Sequence, residues 1–304
     1  MTTNNQRWLG ILFVLFGASF WGIGGTAADY LFQTANIDVN WYVTTRLICS
    51  GLLLLGIQLF LKGWQSVFAI WLTFSNWLPL FAFALFGMLL VQYSYMASIH
   101  EGNAAVATLL QYLAPVYIIL WLLLRRKQSF QWFDLIAIGL TIVGTLLLLT
   151  NGSFSQLTVP GSAILWGIIS GLSLAFYTLY ARRLTARYSS IVVVGWAMLI
   201  AGVTMSFIHP IWAVDVSSWS FSTSMILFFT IVFGTAIAFW FIIKSLDYLQ
   251  AKETTLLGTL EPLTAVVSSV LWLNLTFGIW QVVGMVFILT LVVSLSLQKT
   301  KRAV

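Results

Sequence analysis

From its first residues the chain alternates long apolar blocks with short polar breaks. The blocks run Trp8–Leu31, Val39–Leu61, Asn76–Ser98, Ala104–Leu124 and Trp132–Thr150, then Gly161–Tyr180, Ile191–Phe207, Thr223–Ser245, Thr254–Leu273 and Gly278–Leu297. Their lengths are close to the roughly 20 residues that a helix needs to cross about 30 Å of hydrocarbon with every backbone group bonded inside the segment. None shows the period-2 alternation of an outer-membrane barrel strand, in which every other position faces a wet lumen. The pattern predicts an all-α integral membrane protein with ten transmembrane helices.

Composition agrees: the chain is 60% apolar and 7% charged, against roughly 25% charged in a soluble domain. The few charges are sorted by loop. Threading ten spans in order puts Arg7, Lys62, Arg125-Arg126-Lys127, Arg182, Arg183, Arg187, Lys252 and the tail residues Lys299, Lys301 and Arg302 on one side. The opposite loops hold Asp38, His100, Glu101, His209 and Asp215, with no Lys or Arg. Short loops rich in Lys and Arg stay inside, so both termini are expected in the cytoplasm. The net charge of +6 is then a topology signal and gives no reason to expect nucleic acid. The first block is too long for a signal h-region and continues through Trp21, Asp29 and Tyr30 without a small-residue cleavage site, so it reads as a retained span. Cys49, the single cysteine, lies in the second block, which excludes an intrachain disulfide and a thiolate metal site.

Superposing the chain on itself brings out a duplication. An offset of 147 residues sets Phe86-Gly87 on Phe233-Gly234, Ser98 on Ser245, Ala104 on Ala251, Thr108-Leu109-Leu110 on Thr255-Leu256-Leu257, Leu113 on Leu260 and Pro115 on Pro262. An offset of 145 sets Trp21-Gly22-Ile23 on Trp166-Gly167-Ile168. Residues 1–150 and 151–304 therefore read as two copies of a five-span unit. Five is odd, so the second copy enters the membrane upside down. Inverted repeats recur in secondary transporters, which hold solute near the midplane between the halves.

Several motifs carry a resemblance: Ser19-Phe20-Trp21-Gly22, Arg46-Leu47, Leu113-Ala114-Pro115 and, most specific, Leu260-Glu261-Pro262-Leu263-Thr264-Ala265. In order and spacing the chain resembles the EamA-type branch of the drug/metabolite transporter superfamily over almost its whole length. The resemblance implies a bacterial inner-membrane carrier of metabolites, amino acids or other small organic solutes among them, and fixes neither the solute nor the direction; export is favoured as the simplest outcome of proton–solute exchange. It also departs from the family. Members commonly close spans four and nine with an acidic residue, where this chain reads Leu124-Arg125-Arg126 and Leu273-Asn274-Leu275.

Among single residues Glu261 is the sharpest candidate. It falls about halfway along the ninth block, where a charge costs a few kcal/mol or more unless paired or hydrated. Pro262 lacks an N–H and frees a carbonyl one turn back, near Gly258. Glu261 is expected either to exchange a proton or pair an ammonium at the cavity, or to fix packing as a neutral acid. Arg46 reads either as a carboxylate clamp or counter-ion, or as a structural tie to helix-end carbonyls or to Asp29. Lys244, at the cytoplasmic end of the eighth block, is expected to snorkel to the interface, with Asp247 or Glu253 as a partner.

Trp8, Trp41, Trp64, Trp132, Trp212, Trp219 and Trp280 lie near block ends, where interfacial aromatics belong. Trp21, Trp166, Trp240, Tyr93 and Tyr95 lie deeper, in blocks that line the central cavity in the resembled family. There they stack on solute, hold an amine by cation–π attraction, or simply pack helices. Gln111 and Tyr112 precede Pro115 at nearly the depth of Glu261. Pro115 and Pro262 read as paired helix breaks, and Gly22-Ile23-Gly24-Gly25 as close helix packing.

The expected solute site is thus Trp21, Tyr93, Gln111, Tyr112, Trp166, Trp240 and Glu261. No hydrolase, nucleotide or metal motif stands out, so neither a catalytic set nor a cofactor or metal is expected. A channel would need rings of charge or a polar pore. Secondary transport leads over an intramembrane enzyme or a channel. The expected partners are the bilayer, a small solute and, if Glu261 titrates, protons, around a monomer or weak homodimer.

Overall fold

The computed structural model describes residues 4–126, 132–153, 156–217 and 219–297. Lys127, Lys299, Lys301 and Arg302 lie outside the described residues, as does the side chain of Lys252. Among the described residues the chain is helical throughout, with no strand. Its long segments are α1 (Asn4–Gln33), α2 (Val39–Lys62), α3 (Phe74–Glu101), α4 (Ala104–Leu124), α5 (Trp132–Thr150), α6 (Gly161–Thr185), α7 (Ser190–Ser206), α8 (Phe221–Ser245), α9 (Ala251–Gly258 and Leu260–Leu273) and α10 (Ile279–Leu297). Seven of these contain stretches long and apolar enough to cross a membrane; the apolar parts of α5, α7 and α10 are shorter. Side chains such as Phe60 and Phe207 stand 91% and 88% exposed, which suits a surface whose solvent is lipid.

Polar residues at the breaks start these helices. Asp38 Oδ1 accepts the Trp41 N–H at 2.8 Å to open α2, Asn103 Oδ1 accepts that of Val106 at 2.9 Å to open α4, and Ser220 Oγ accepts that of Thr223 at 3.0 Å to open α8. Each satisfies an N–H that has no acceptor inside its own helix. Asn274 closes α9 with φ +54°, a left-handed conformation that asparagine tolerates.

The helices of residues 4–150 find their main partners in residues 161–297. α1 packs along α8 and α9, α6 along α3 and α4, α2 along α7, and α5 along α10. The α1–α9 approach depends on Gly22, because a Cβ there would meet Thr264 Oγ1 and the Glu261 carbonyl. The α1–α8 approach depends on Gly24 and Gly234, each of whose Cβ positions would fall about 3 Å from the other's Cα.

Two kinds of irregularity recur 147 residues apart. α3 widens into a π-helical segment at Phe83–Leu89, and α8 does so at Val232–Ile237, around the matched Phe-Gly pairs. α4 breaks at Tyr112 and Leu113, and α9 breaks at Thr259. In both cases the proline sits in the first turn of the next helical piece, where its missing N–H is harmless and its fixed φ suits a helix start.

Candidate functional site

The two broken helices meet at a carboxyl. Tyr112, at the break in α4, places its hydroxyl 2.8 Å from Glu261 Oε2 and 3.1 Å from the Gly258 carbonyl oxygen. That carbonyl belongs to the residue four before Pro262, which has no N–H to offer it. A phenol has one proton to donate, so it serves one of these acceptors at a time. When Glu261 is ionised, Tyr112 donates to the carboxylate and the Gly258 carbonyl loses its donor. When Glu261 is protonated, its own O–H donates to Tyr112 and the phenol proton is free for Gly258. The protonation state of Glu261 is thereby tied to the bonding of the backbone at the α9 break.

Around this pair the walls are polar on one side. Thr26 of α1 shares a hydrogen bond of 2.7 Å with Ser268 of α9, and Thr264 donates to the Glu261 carbonyl at 2.8 Å. Tyr95 and Thr108 join their hydroxyls at 2.7 Å, and Gln111 donates to Ser170 Oγ at 2.7 Å. Arg46 Nε donates to Thr235 Oγ1, inside the π segment of α8, at 2.6 Å. The guanidinium lies within electrostatic reach of Glu261 and Tyr95.

The expected residues sort into two groups. Gln111, Tyr112 and Glu261 lie at or beside the two helix breaks, with Pro115 and Pro262 in the first turn of the following helical pieces. Trp21 adjoins Gly22 and meets Phe239 edge-on at 4.9 Å, while Tyr93 and Trp166 meet edge-on at 5.5 Å across α3 and α6. The structure does not bring Trp240 to this group. Its ring lines an apolar groove between α2 and α8 with Cys49, Leu52, Leu53 and Phe60. The residue also packs against the core beside Phe241, with its Nε1 buried and without a hydrogen-bond partner.

The charged residues outside the core also have definite places. Asp29 does not pair with Arg46: its buried carboxylate accepts the Ala104 N–H at 2.9 Å, at the start of α4. Lys244 pairs with Asp247 at 2.7 Å, and Glu253 pairs with Arg7 at 2.7 Å. Trp41, in the first turn of α2, is buried, donating to the Ile211 carbonyl at 2.7 Å and meeting Trp219 edge-on at 5.2 Å. Both rings line a cavity of about 590 Å³ between the α1–α2 and α7–α8 loops, with Asp38, His209 and Asp215. Hydrogen bonds from Ser217 hold the Asp215 carboxyl below the usual carboxylate range, so the mouth of that cavity carries a fixed negative charge. Among the described residues no group of three His, Cys, Asp or Glu side chains is placed to hold a metal ion.

Thr26, Ser170, Thr235 and Ser268 carry no sequence signal beyond being hydroxyls inside apolar blocks, and Thr108 marks the duplication but not its bond to Tyr95.

The EamA-like transporter family model matches residues 8–150 and 161–297. The chain belongs to the EamA-like transporter family. It is 33% identical over 296 residues to the uncharacterized inner membrane transporter YicL of Salmonella typhimurium, covering 97% of each chain. It is also 24% identical over 307 residues to the uncharacterized transporter YwfM of Bacillus subtilis, covering 96% of each. A solved crystal structure shares the fold over 96% of both chains with a TM-score of 0.60 at 14% identity. The family and these relatives make the chain a multi-pass membrane transporter rather than an enzyme, consistent with the drug/metabolite transporter superfamily.

Proposed function

We propose that this transporter is a secondary carrier of small organic metabolites, amino acids or amines among them, working by alternating access in a bacterial inner membrane. Residues 1–150 and 151–304 form two five-helix repeats in inverted orientation, giving ten spans with both termini cytoplasmic. Three features support the repeat reading: the double family match, the π segments and breaks recurring at one offset, and the helix pairing. Exchanging α1 with α6, α2 with α7, α3 and α4 with α8 and α9, and α5 with α10 turns that pairing scheme into itself. Three shorter helices still suit a bilayer, since α7 at 17 residues rises about 26 Å and local thinning accommodates a small mismatch.

The observation that carries the mechanism is the Tyr112 bridge between the Glu261 carboxyl and the Gly258 carbonyl. Solute occupies the space between the two breaks, near Trp21, Tyr93, Gln111 and Trp166. An incoming cationic or zwitterionic head favours the Glu261 carboxylate and expels its proton. Loss of that proton draws the Tyr112 donor from Gly258 and loosens the α9 break, which biases the carrier toward its other access. Proton–solute exchange through one site follows, and with an inward proton gradient it drives export.

Counterflow in proteoliposomes tests the carrier reading. Vesicles preloaded with a solute that stabilises the purified protein should accumulate labelled external solute transiently, with saturation. Non-saturable flux without counterflow would indicate a channel, and recovery of a chemically altered solute would indicate an enzyme.

A further inference from the structure

Arg46 lies in α2 against the π segment of α8 and is buried, with 7% of its surface exposed. One edge of its guanidinium is fixed. Nε–H donates to Thr235 Oγ1, and the Thr235 hydroxyl in turn donates to the Thr230 carbonyl at 2.8 Å, so its lone pair is left for the arginine. One turn along α2, the Ser50 hydroxyl donates to the Ile231 carbonyl at 3.0 Å. The i→i+5 ladder of a π segment leaves carbonyls out of helical register, and the α2 seam uses them to hold the fork in place.

The other edge is unfinished. Nη1 is buried and has no hydrogen-bond partner. None of the ion pairs among the described residues includes Arg46. Of the buried acids, Asp29 accepts the Ala104 N–H, and Glu261, within electrostatic reach, accepts from Tyr112; neither hydrogen-bonds the guanidinium. A buried arginine cannot shed its charge by deprotonation. The Tyr42 ring lies 6.0 Å from its Cζ and the Glu261 carboxyl acts on it electrostatically, yet neither gives Nη1 an acceptor. A fixed, buried N–H donor with no acceptor in the chain marks a place where a ligand completes the structure.

We infer that Arg46 is the docking point for a carboxylate group on the transported solute. This rests on the carrier reading above and narrows its substrate class to zwitterions whose acidic group is a planar, singly charged carboxylate. A guanidinium edge matches the two oxygens of a carboxylate. One elementary charge balances one arginine, whereas a doubly charged phosphate would leave excess charge in a dry site. The carboxylate lies against α2 and the α8 π segment, and the solute body extends toward the broken helices and Glu261. Solute binding is then sensed by the π segment through Thr235 as well as by the α9 break.

Binding to purified full-length protein in nanodiscs, followed by tryptophan fluorescence and by the thermal unfolding midpoint, tests the assignment. The probes are benzoate and phenylacetate, with benzyl alcohol, benzylamine and phenylphosphonate as matched controls. Benzoate and phenylacetate should raise the midpoint at concentrations where benzyl alcohol does not. Arg46→Gln should weaken carboxylate binding at least about tenfold, the order expected on removing one partner of a buried charge pair. Arg46→Lys should recover part of it. Thr235→Val keeps the charge and removes the Nε anchor, so it should weaken binding several-fold, which gives an answer even if Arg46→Gln does not fold.

Equal response of the wild type to benzoate and benzyl alcohol would overturn the inference, as would undiminished benzoate binding by Arg46→Gln or Thr235→Val. A response to phenylphosphonate alone would overturn the carboxylate assignment. Saturable counterflow of benzylamine without any carboxylate response would overturn the Arg46 site and leave the carrier reading standing. Arg46-dependent benzoate binding with no saturable counterflow of any solute that stabilises the protein would do the reverse.

Discussion

The Tyr112 hydroxyl lies 2.8 Å from the Glu261 carboxylate, joining two helix breaks that stand at the same offset along the chain. Yet the two breaks are not chemically equivalent. The residue matched to Glu261 is Ala114 and the residue matched to Tyr112 is Thr259, so one backbone device occurs twice and carries one carboxyl and one phenol. In the proposed mechanism the duplication supplies the hinge positions, and the divergence supplies the proton switch.

Tyr112→Phe removes the one donor shared by Glu261 and Gly258. A buried acceptor left unsatisfied costs about 1–3 kcal/mol, and the variant should lose about that much stability in thermal or denaturant unfolding in detergent. Its flux should also respond differently to pH from that of the wild type, because the carboxyl is uncoupled from the α9 backbone. A variant of wild-type stability would show that the hydroxyl makes no bond of consequence.

Gly22→Ala sets a methyl group against Thr264 and the Glu261 carbonyl. Overpacking of this kind costs about 1–3 kcal/mol, and the separation of α1 from α9 should also lower transport. Gly56→Ala and Gly139→Ala are the controls, since no atom lies within 4 Å of either added Cβ. Those two should gain up to about 0.5–1 kcal/mol from helix propensity. A Gly22→Ala protein as stable as the Gly139→Ala protein would mean that α1 and α9 are not in close contact.

Trp166→Ala opens the edge contact with Tyr93 and should weaken solute binding more than Trp64→Ala or Trp280→Ala. Trp240→Ala should behave like the latter two, because its ring lines the apolar α2–α8 groove. Equal losses at all four positions, measured by solute titration of tryptophan fluorescence, would count against a site between the breaks.

Orientation is open to a chemical test. In a Cys49→Ala background, single cysteines at Thr34, Glu101 and Val216 should react with an impermeant thiol reagent in intact cells. All three positions are exposed in the structure, so a lack of labelling reports sidedness rather than burial. Labelling only after permeabilisation would invert the topology.

Much of this architecture was legible in the sequence because it depends on local composition. Apolar blocks of span length gave the helices, and the matched prolines marked where α4 and α9 break, whereas the matched Phe-Gly pairs showed the duplication but not the π segments of α3 and α8. Pro262 even pointed to the Gly258 carbonyl, since a missing N–H always frees the oxygen four residues earlier. What accepts or fills that place was not legible. Tyr112 is separated from Glu261 by 149 residues and Arg46 from Thr235 by 189, and such contacts arise only once helices pack. Asp29 shows the same limit: its charge suggested Arg46, but the folded chain offers it a helix N-terminus. Trp240 shows another limit, because an apolar residue in a groove between two helices and one in a central cavity look alike in sequence.

The central claim is that protonation of Glu261 couples solute movement to the proton gradient, and Glu261→Gln tests it most directly. Glutamine keeps the size and hydrogen bonding of the side chain but cannot titrate. The solute is one taken from a thermal-shift screen of amino acids, amines and nucleosides, since binding to the folded state alone raises apparent stability. Counterflow and gradient-driven flux of that solute are then measured across pH in proteoliposomes. The account predicts that Glu261→Gln retains counterflow, loses the pH dependence seen in the wild type and no longer accumulates solute against a proton gradient. A Glu261→Gln carrier with an unchanged pH profile and undiminished gradient-driven accumulation would contradict it and leave the carboxyl a structural group.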